Sequence, residues 1–310
     1  MKALALLGAV AALVLAPPAA ASQPLGDLNI KGLTLAVNAN GKALLTYRRE
    51  DGRIRHVLVW GAINARPPSQ SVSQLAFRFD YSGGLRSLGH YAAPRFHDAC
   101  ARYDGPPLPF LVTACKAPDG TFWAVQAWRR LLPMRGFAPW LPQQGKLEFH
   151  VSHWSGPTET LEVSQNWTYG GRWQGVFGRL TYRGSPVHGF RTPSATRRDA
   201  YARFVYIDAH DSVYGPGWRH DTAVVTHAGD GAFCYSFVPQ APPPGYPDRS
   251  PRGPAVGDAH RVTVMGPGVT PDVQWVGAAL GAYDPARDRS FDALFDRLVG
   301  PGDKVCANER

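Results

Sequence analysis

Cysteine is scarce in this chain of 310 residues. There are four, at positions 100, 115, 234 and 306. No two of them stand in a Cys-x2-Cys pair, the spacing that most structural zinc sites use, so a zinc site is not expected. Lysine is scarce as well: arginine supplies most of the basic charge that gives the chain its formal net charge of +9. The arginines are scattered, with doublets only at 48–49, 129–130 and 197–198. No basic stripe interleaved with stacking aromatics is present, and nucleic acid is not an expected partner. Several catalytic signatures are missing. There is no Gly-x-Ser-x-Gly elbow, no P-loop and no dinucleotide fingerprint. The Glu-x-Asp-x-x-Glu run of laminarinase-type enzymes is absent, and the chain has no internal repeat. No cofactor is expected. Past the first twenty residues no stretch is long and apolar enough to suggest a membrane-crossing helix.

What is present begins at the N-terminus. Met1-Lys2 precedes the apolar run ALALLGAVAALVLA, and Ala19-Ala20-Ala21 fits a small-x-small cleavage rule. Residues 1–21 are therefore expected to be a removable export signal, with a soluble mature chain starting near Ser22. An even number of cysteines suits an oxidising compartment. Four cysteines allow three pairings; Cys100–Cys115 and Cys234–Cys306 are the favoured ones. The first closes a short loop around the proline-rich DGPPLPF, and the second would staple the tail to a strand.

The rest of the chain reads as short strands separated by turn chemistry. The stretch 161–190, LEVSQNWTYGGRWQGVFGRLTYRGSPVHGF, alternates with period two around Gly170-Gly171, a strong hairpin signal. Glycines 175 and 178 suggest a bulge or a close approach within its second strand. Residues 28–63 read as a meander with turns at Asn38-Ala39-Asn40-Gly41 and Glu50-Asp51-Gly52. Further strands are expected at 75–81, 110–115, 121–130 and 146–154. Later ones follow near 201–212, 218–229 and 231–240 and in RVTVMG and VQWVGAA, with Gly215-Pro216-Gly217 as a turn. The strand 121–130 is apolar on both faces and should be covered on both sides. One helix is expected, at 287–299, where Phe291, Leu294, Phe295 and Leu298 share a face.

The expected class is all-β: an antiparallel β-sandwich or jelly roll with one short C-terminal amphipathic helix. Residues 22–310 can form one large domain, with sub-boundaries near 66–74 or 131–145 as the alternative. Residues 239–259 form a Pro/Gly-rich loop. Oligomeric state is not legible.

Chemistry-bearing residues are few. Glu148 and Glu162 could form a glycosidase-like carboxylate pair if their strands lay side by side. Glu148 shares a strand face with His150 and Trp154. Asp208 and His210 share another face, with His220 nearby, which could hold a metal or act in hydrolysis. Neither set forms a recognised motif. Tryptophan is plentiful, and flat aromatic rings stack on sugars. Trp140, Trp154, Trp173 and Trp218 each sit beside a turn, glycine or proline and are the expected exposed, ligand-binding rings; Trp128 and Trp167 are expected in the core. The reading that results is an exported, non-catalytic β-sandwich that binds a glycan or cell-surface polymer. The alternatives are a secreted hydrolase or a surface protein that binds another protein.

Overall fold

The computed structural model describes residues 22–63, 75–129, 146–168, 173–186, 205–212, 215–221, 225–227, 232–237, 257–264, 266 and 270–286. In chain order the strands of the first half are β1 (Gln23–Pro24), β2 (Lys31–Val37), β3 (Ala43–Arg48), β4 (Ile54–Gly61), β5 (Phe77–Asp80), β6 (Ala101–Arg102), β7 (Leu111–Lys116), β8 (Phe122–Trp128) and β9 (Glu148–Trp154). One helical turn, α1 (Leu85–Leu88), and a 3-10 turn at Ala93–Arg95 follow β5. The second half supplies β10 (Thr160–Thr168), β11 (Trp173–Tyr182), β12 (Ser185–Pro186), β13 (Val205–Ser212), β14 (Gly215–Asp221), β15 (Val225–His227), β16 (Ala232–Phe237), β17 (Ala259–Val264) and β18 (Val273–Ala278).

These strands make four antiparallel sheets. Their orders are β2-β3-β4-β5, β1-β9-β8-β7-β6, β10-β11-β16-β15 and β14-β13-β17-β18. The all-β class is thus the observed one. The first two sheets pack face to face as a sandwich. Val37, Leu45, Tyr47, Val57, Val59 and Phe77 from one meet Trp123, Val125, Phe149 and Val151 from the other in a single buried cluster. Each such side chain, fully buried, contributes about 1.5–3 kcal/mol of transfer free energy. Period-two alternation places these residues on one face of each strand, which is why the pattern was readable.

The sheet containing β8 and β9 is covered on its other face too. Trp128 packs edge to face on Tyr206 of β13, with ring centroids 5.0 Å apart. Ser152 donates a hydrogen bond to the Thr270 carbonyl. Every residue of β9 is buried. This matches the expectation that the strand around Trp123–Trp128 is enclosed on both sides. The Cys100–Cys115 disulfide is present and ties the segment after the 3-10 turn to β7. A bridge that closes a loop of this size is worth about 3 kcal/mol in the chain-entropy account.

Three details differ from the pattern-based reading. Gly215-Pro216-Gly217 opens β14 rather than making a turn, since Ser212 already pairs with Gly215. The stretch 218–229 is not one strand. It is shared between β14 and β15, which belong to different sheets. Glycines 175 and 178 cause no bulge; the register of β11 runs unbroken against both β10 and β16. β10 and β11 pair antiparallel as expected, their Gly170-Gly171 turn lying outside the described residues, and Arg183-Gly184 turns β11 into β12 with positive φ at both residues. The helix expected at 287–299 lies outside the described residues. So do 239–256 of the Pro/Gly-rich loop and both candidate boundaries, 66–74 and 131–145.

Candidate functional site

Two groups of side chains stand out, one open to solvent and one closed. The open one lies at the edge of the β2-β3-β4-β5 sheet. Here β5 ends at Asp80 and the chain turns through Gly83 and Gly84 into α1. Gly84 holds φ at +107°, and a Cβ there would sit 2.9 Å from the His90 carbonyl oxygen. Only glycine fits this corner without strain.

Asp80 organises the turn. One carboxylate oxygen accepts from the Ser82 amide at 2.9 Å and from the Ser82 hydroxyl; the other accepts from the Ser87 amide at 2.9 Å and hydroxyl at 2.6 Å. Burial alone would push the Asp80 carboxyl up, but these four donors outweigh it and hold the group well below the usual carboxylate range. The result is a rigid rim. It lines a cleft of about 370 Å³ together with Trp60, Phe79, Tyr81 and Arg86. That volume is at the small end of ligand pockets, which run to about 1,000 Å³.

The aromatic walls are fixed by their neighbours. Phe79 and Tyr81 stack at 5.9 Å with planes 24° apart. The Tyr81 hydroxyl accepts from the Gly26 amide at 2.9 Å, and the Arg55 guanidinium lies 5.7 Å from its ring centre. Lys42 stands over the Trp60 ring at 5.8 Å. Across α1 lies a second cleft of about 340 Å³, whose walls include Asn38, Leu88, His90, Phe96 and His97. Helix α1 therefore forms a low ridge between two hollows: Arg86 and Ser87 face one and Leu88 the other. Leu85 and Leu88 on this ridge are exposed.

The closed group lies between β9 and the segment leading into β18. His150 Nδ1 donates to Asp272 Oδ2 at 2.7 Å, and Trp128 Nε1 donates to the same oxygen at 3.0 Å. The Ser22 hydroxyl donates to Asp272 Oδ1. Gln126 clamps the backbone of Asp272: its Oε1 accepts from the Asp272 amide and its Nε2 donates to the Asp272 carbonyl, each at 2.9 Å. Glu148 Oε2 lies 3.4 Å from His150 Nε2. Burial pulls the His150 imidazole down, but the charge and hydrogen bond of Asp272, helped by Glu148, outweigh it and push it up to about 9. The group is an ion pair with its hydrogen bonds satisfied. Ser22, His150 and Asp272 each have 0% of their surface exposed. The residue types resemble those of a hydrolase, yet the nitrogen and oxygen atoms are turned toward one another and away from solvent.

The residues singled out from the sequence fall as follows. Glu148 and Glu162 do not face each other. β9 pairs with β8 and β1, whereas Glu162 lies on β10 opposite Arg179. The carboxylate that Glu148 approaches through His150 is Asp272, which pattern reasoning missed. Its neighbours Val269, Thr270 and Pro271 read as a turn, and nothing local marks it. Asp208 is buried and held by Arg261 through Nε at 2.9 Å and Nη2 at 2.6 Å. His210 looks elsewhere, to Asp258 Oδ1 at 2.7 Å and Asp211 Oδ2 at 3.4 Å. Ligand atoms of His210, Asp211 and Asp258 all lie within 4.8 Å of one another, at the exposed end of β13. His220 pairs with Asp208 in backbone register, and its side chain lies outside the described residues.

Trp154 is not an exposed platform. It has 0% exposure and packs against Phe122 at 5.4 Å and Tyr103 at 6.3 Å. The loop before β7 closes over it, a long-range contact that a neighbouring glycine could not reveal. Trp218 is half-buried, with the Arg261 guanidinium 4.5 Å from its ring centre and His210 against its edge. Trp140 and the Trp173 side chain lie outside the described residues, as do the Cys234 side chain and Cys306. Trp128 is buried as expected, and Trp167 is half-buried, donating to the Gly281 carbonyl at 2.8 Å. The solvent-facing rings of the open cleft, Trp60 and Tyr81, were not singled out, because each sits inside an ordinary strand pattern.

Among the described residues no helix is long and apolar enough to cross a membrane. No protein-family model, no curated protein and no solved structure matches the chain.

Proposed function

We infer that this is an exported, non-catalytic protein that binds a glycan chain in the paired clefts beside α1. The observation that carries the reading is the first cleft itself. Apolar ring faces, Trp60 and Tyr81, stand beside the hydroxyls of Ser82 and Ser87 and the exposed guanidinium of Arg86. A sugar ring presents an apolar face edged by hydroxyls, so it needs this mixture of a flat ring and fixed polar groups. The second hollow across the α1 ridge suits a polymer better than a single sugar, because consecutive units could occupy both. The arginine-rich surface would favour an anionic glycan. The Ser22–His150–Asp272 group does not argue for a hydrolase, since a catalytic group must come within hydrogen-bond reach of its substrate.

The test is retention of the purified protein on a panel of soluble and insoluble glycans, neutral and anionic. It is followed by titration of the retained glycan into Trp60→Ala, Tyr81→Phe and Arg86→Ala. Trp60→Ala should weaken binding at least about tenfold, equal to about 1.4 kcal/mol. Tyr81→Phe, which keeps the ring, should change it little. Failure of every glycan to retain the protein, or unchanged binding by Trp60→Ala, removes this reading.

A further inference from the structure

Ser22 is an unusual residue to find fully enclosed. It is also where the export-signal pattern places the cleavage point. From Ser22 onward the chain is tied down at once. Gln23 and Pro24 pair with Val151 and His150 of β9. Gln23 Oε1 accepts from the Phe77 amide at 3.1 Å, and the Leu25 amide donates to the Phe149 carbonyl at 2.8 Å. Surface chain ends are ordinarily loose unless something holds them.

Ser22 sits against the His150–Asp272 ion pair. Its hydroxyl is on Asp272 Oδ1 and lies 3.5 Å from His150 Nδ1. Covalent geometry keeps a serine nitrogen within about 4 Å of its own hydroxyl oxygen, so the Ser22 nitrogen lies within reach of the Asp272 carboxylate once the backbone can turn, at most roughly 7 Å away. Ser22 also holds φ at +34°, a left-handed value that serine avoids. That torsion is defined by the peptide bond to residue 21. Once the bond is gone the restriction goes with it, and the nitrogen is free to turn. A free α-amino group is mostly protonated at neutral pH, since its ordinary pKa is about 8.

We propose that the mature chain begins at Ser22 and that its α-ammonium group docks on the buried Asp272 carboxylate, so that removal of the leader completes the core. The idea rests on the reading of an exported chain. Hydrolysis of the Ala21–Ser22 peptide bond by a leader-cleaving protease consumes one water. It leaves a carboxylate on residue 21 and an ammonium on Ser22. The new cation joins Asp272 beside the donors already on its carboxylate, His150 Nδ1, Trp128 Nε1 and the Ser22 hydroxyl, with Glu148 beyond the imidazole. It replaces a neutral amide with a charge-assisted donor in a site shut off from water. The uncleaved precursor lacks that donor and must also lead its chain out of an enclosed position.

Three measurements test this. N-terminal mass spectrometry of the exported protein should show Ser22 as the first residue; a different first residue overturns the assigned cleavage point, and a chain that is not exported overturns the reading beneath it. Second, the form beginning at Ser22 is compared with one carrying Gly-Ser-Gly before Ser22. The extended form should melt at least about 3 °C lower, and the difference should disappear in the Asp272→Asn background. Equal melting of the two forms in the native background overturns the docking while leaving export intact. Third, independently of whether Asp272→Asn folds, amine acylation with peptide mapping is run on the folded native protein. The Ser22 amine should react at least tenfold slower than that of a free peptide with the same N-terminal sequence. Equal reactivity overturns the docking.

Discussion

His150 shows how a single residue can be legible in type and illegible in role. Period-two counting places Glu148, His150, Ser152 and Trp154 on one face of β9, and the structure keeps them together. What that face meets comes from residue 272, which is 122 positions later. No local pattern encodes such a meeting. The same holds for Trp154, whose cover arrives from Tyr103. The residue-scale consequence is a pH dependence. The His150 pKa rises from an ordinary value of about 6.5 to about 9 in the fold. A raised pKa means that the folded state holds the proton more tightly. The contribution is full below about pH 6.5 and is lost as pH rises through about 9; its size is on the order of 3 kcal/mol. Tm should therefore fall between pH 6.5 and 9, and the His150 ring signals in NMR should titrate near the upper end. His150→Gln should flatten part of that slope. A ring that titrates near 6.5 would contradict the ion pair with Asp272.

At the scale of elements, the strands were readable and their partners less so. β3 begins and ends where the run ALLTYR does, since turn residues bound it on both sides. The split of 218–229 between two sheets was hidden because both pieces carry strand-like residues. No periodic face marks residues 82–88, yet they form the turn that shapes the cleft. Its regularity comes from Asp80 hydrogen bonds rather than from any periodic face. That turn has a clear weak point. Gly84→Ala forces a Cβ at φ +107° to within 2.9 Å of the His90 carbonyl oxygen. Positions of this kind cost about 1–3 kcal/mol. The variant should lose a few degrees of Tm and should weaken the proposed glycan binding with Trp60 and Tyr81 untouched. Native-like stability and binding in Gly84→Ala would show that the corner relaxes freely and does not set the cleft.

At the scale of the whole molecule, the sheet built on β8 and β9 is the common layer. One face closes the sandwich with β2-β3-β4-β5, and the other receives Asp272 and Tyr206. The two faces differ in the length of chain that must be brought together. Hairpins such as β3–β4 close locally, whereas the Gln126–Asp272 clamp spans 146 positions and Ser22–Asp272 spans 250. Long closures come late, because their chain entropy is lost before contacts compensate. In pulse-labelled hydrogen exchange the Asp272 amide, held by Gln126 Oε1, should gain protection after the amides of β3 and β4. Simultaneous protection would contradict this order. A polypeptide whose residue 22 finds its place only when residue 272 has been made cannot close the second face of that layer while it is still emerging from the ribosome. On the proposed export route such a chain would stay threadable through a narrow translocation pore until the partner that arrives last seals it.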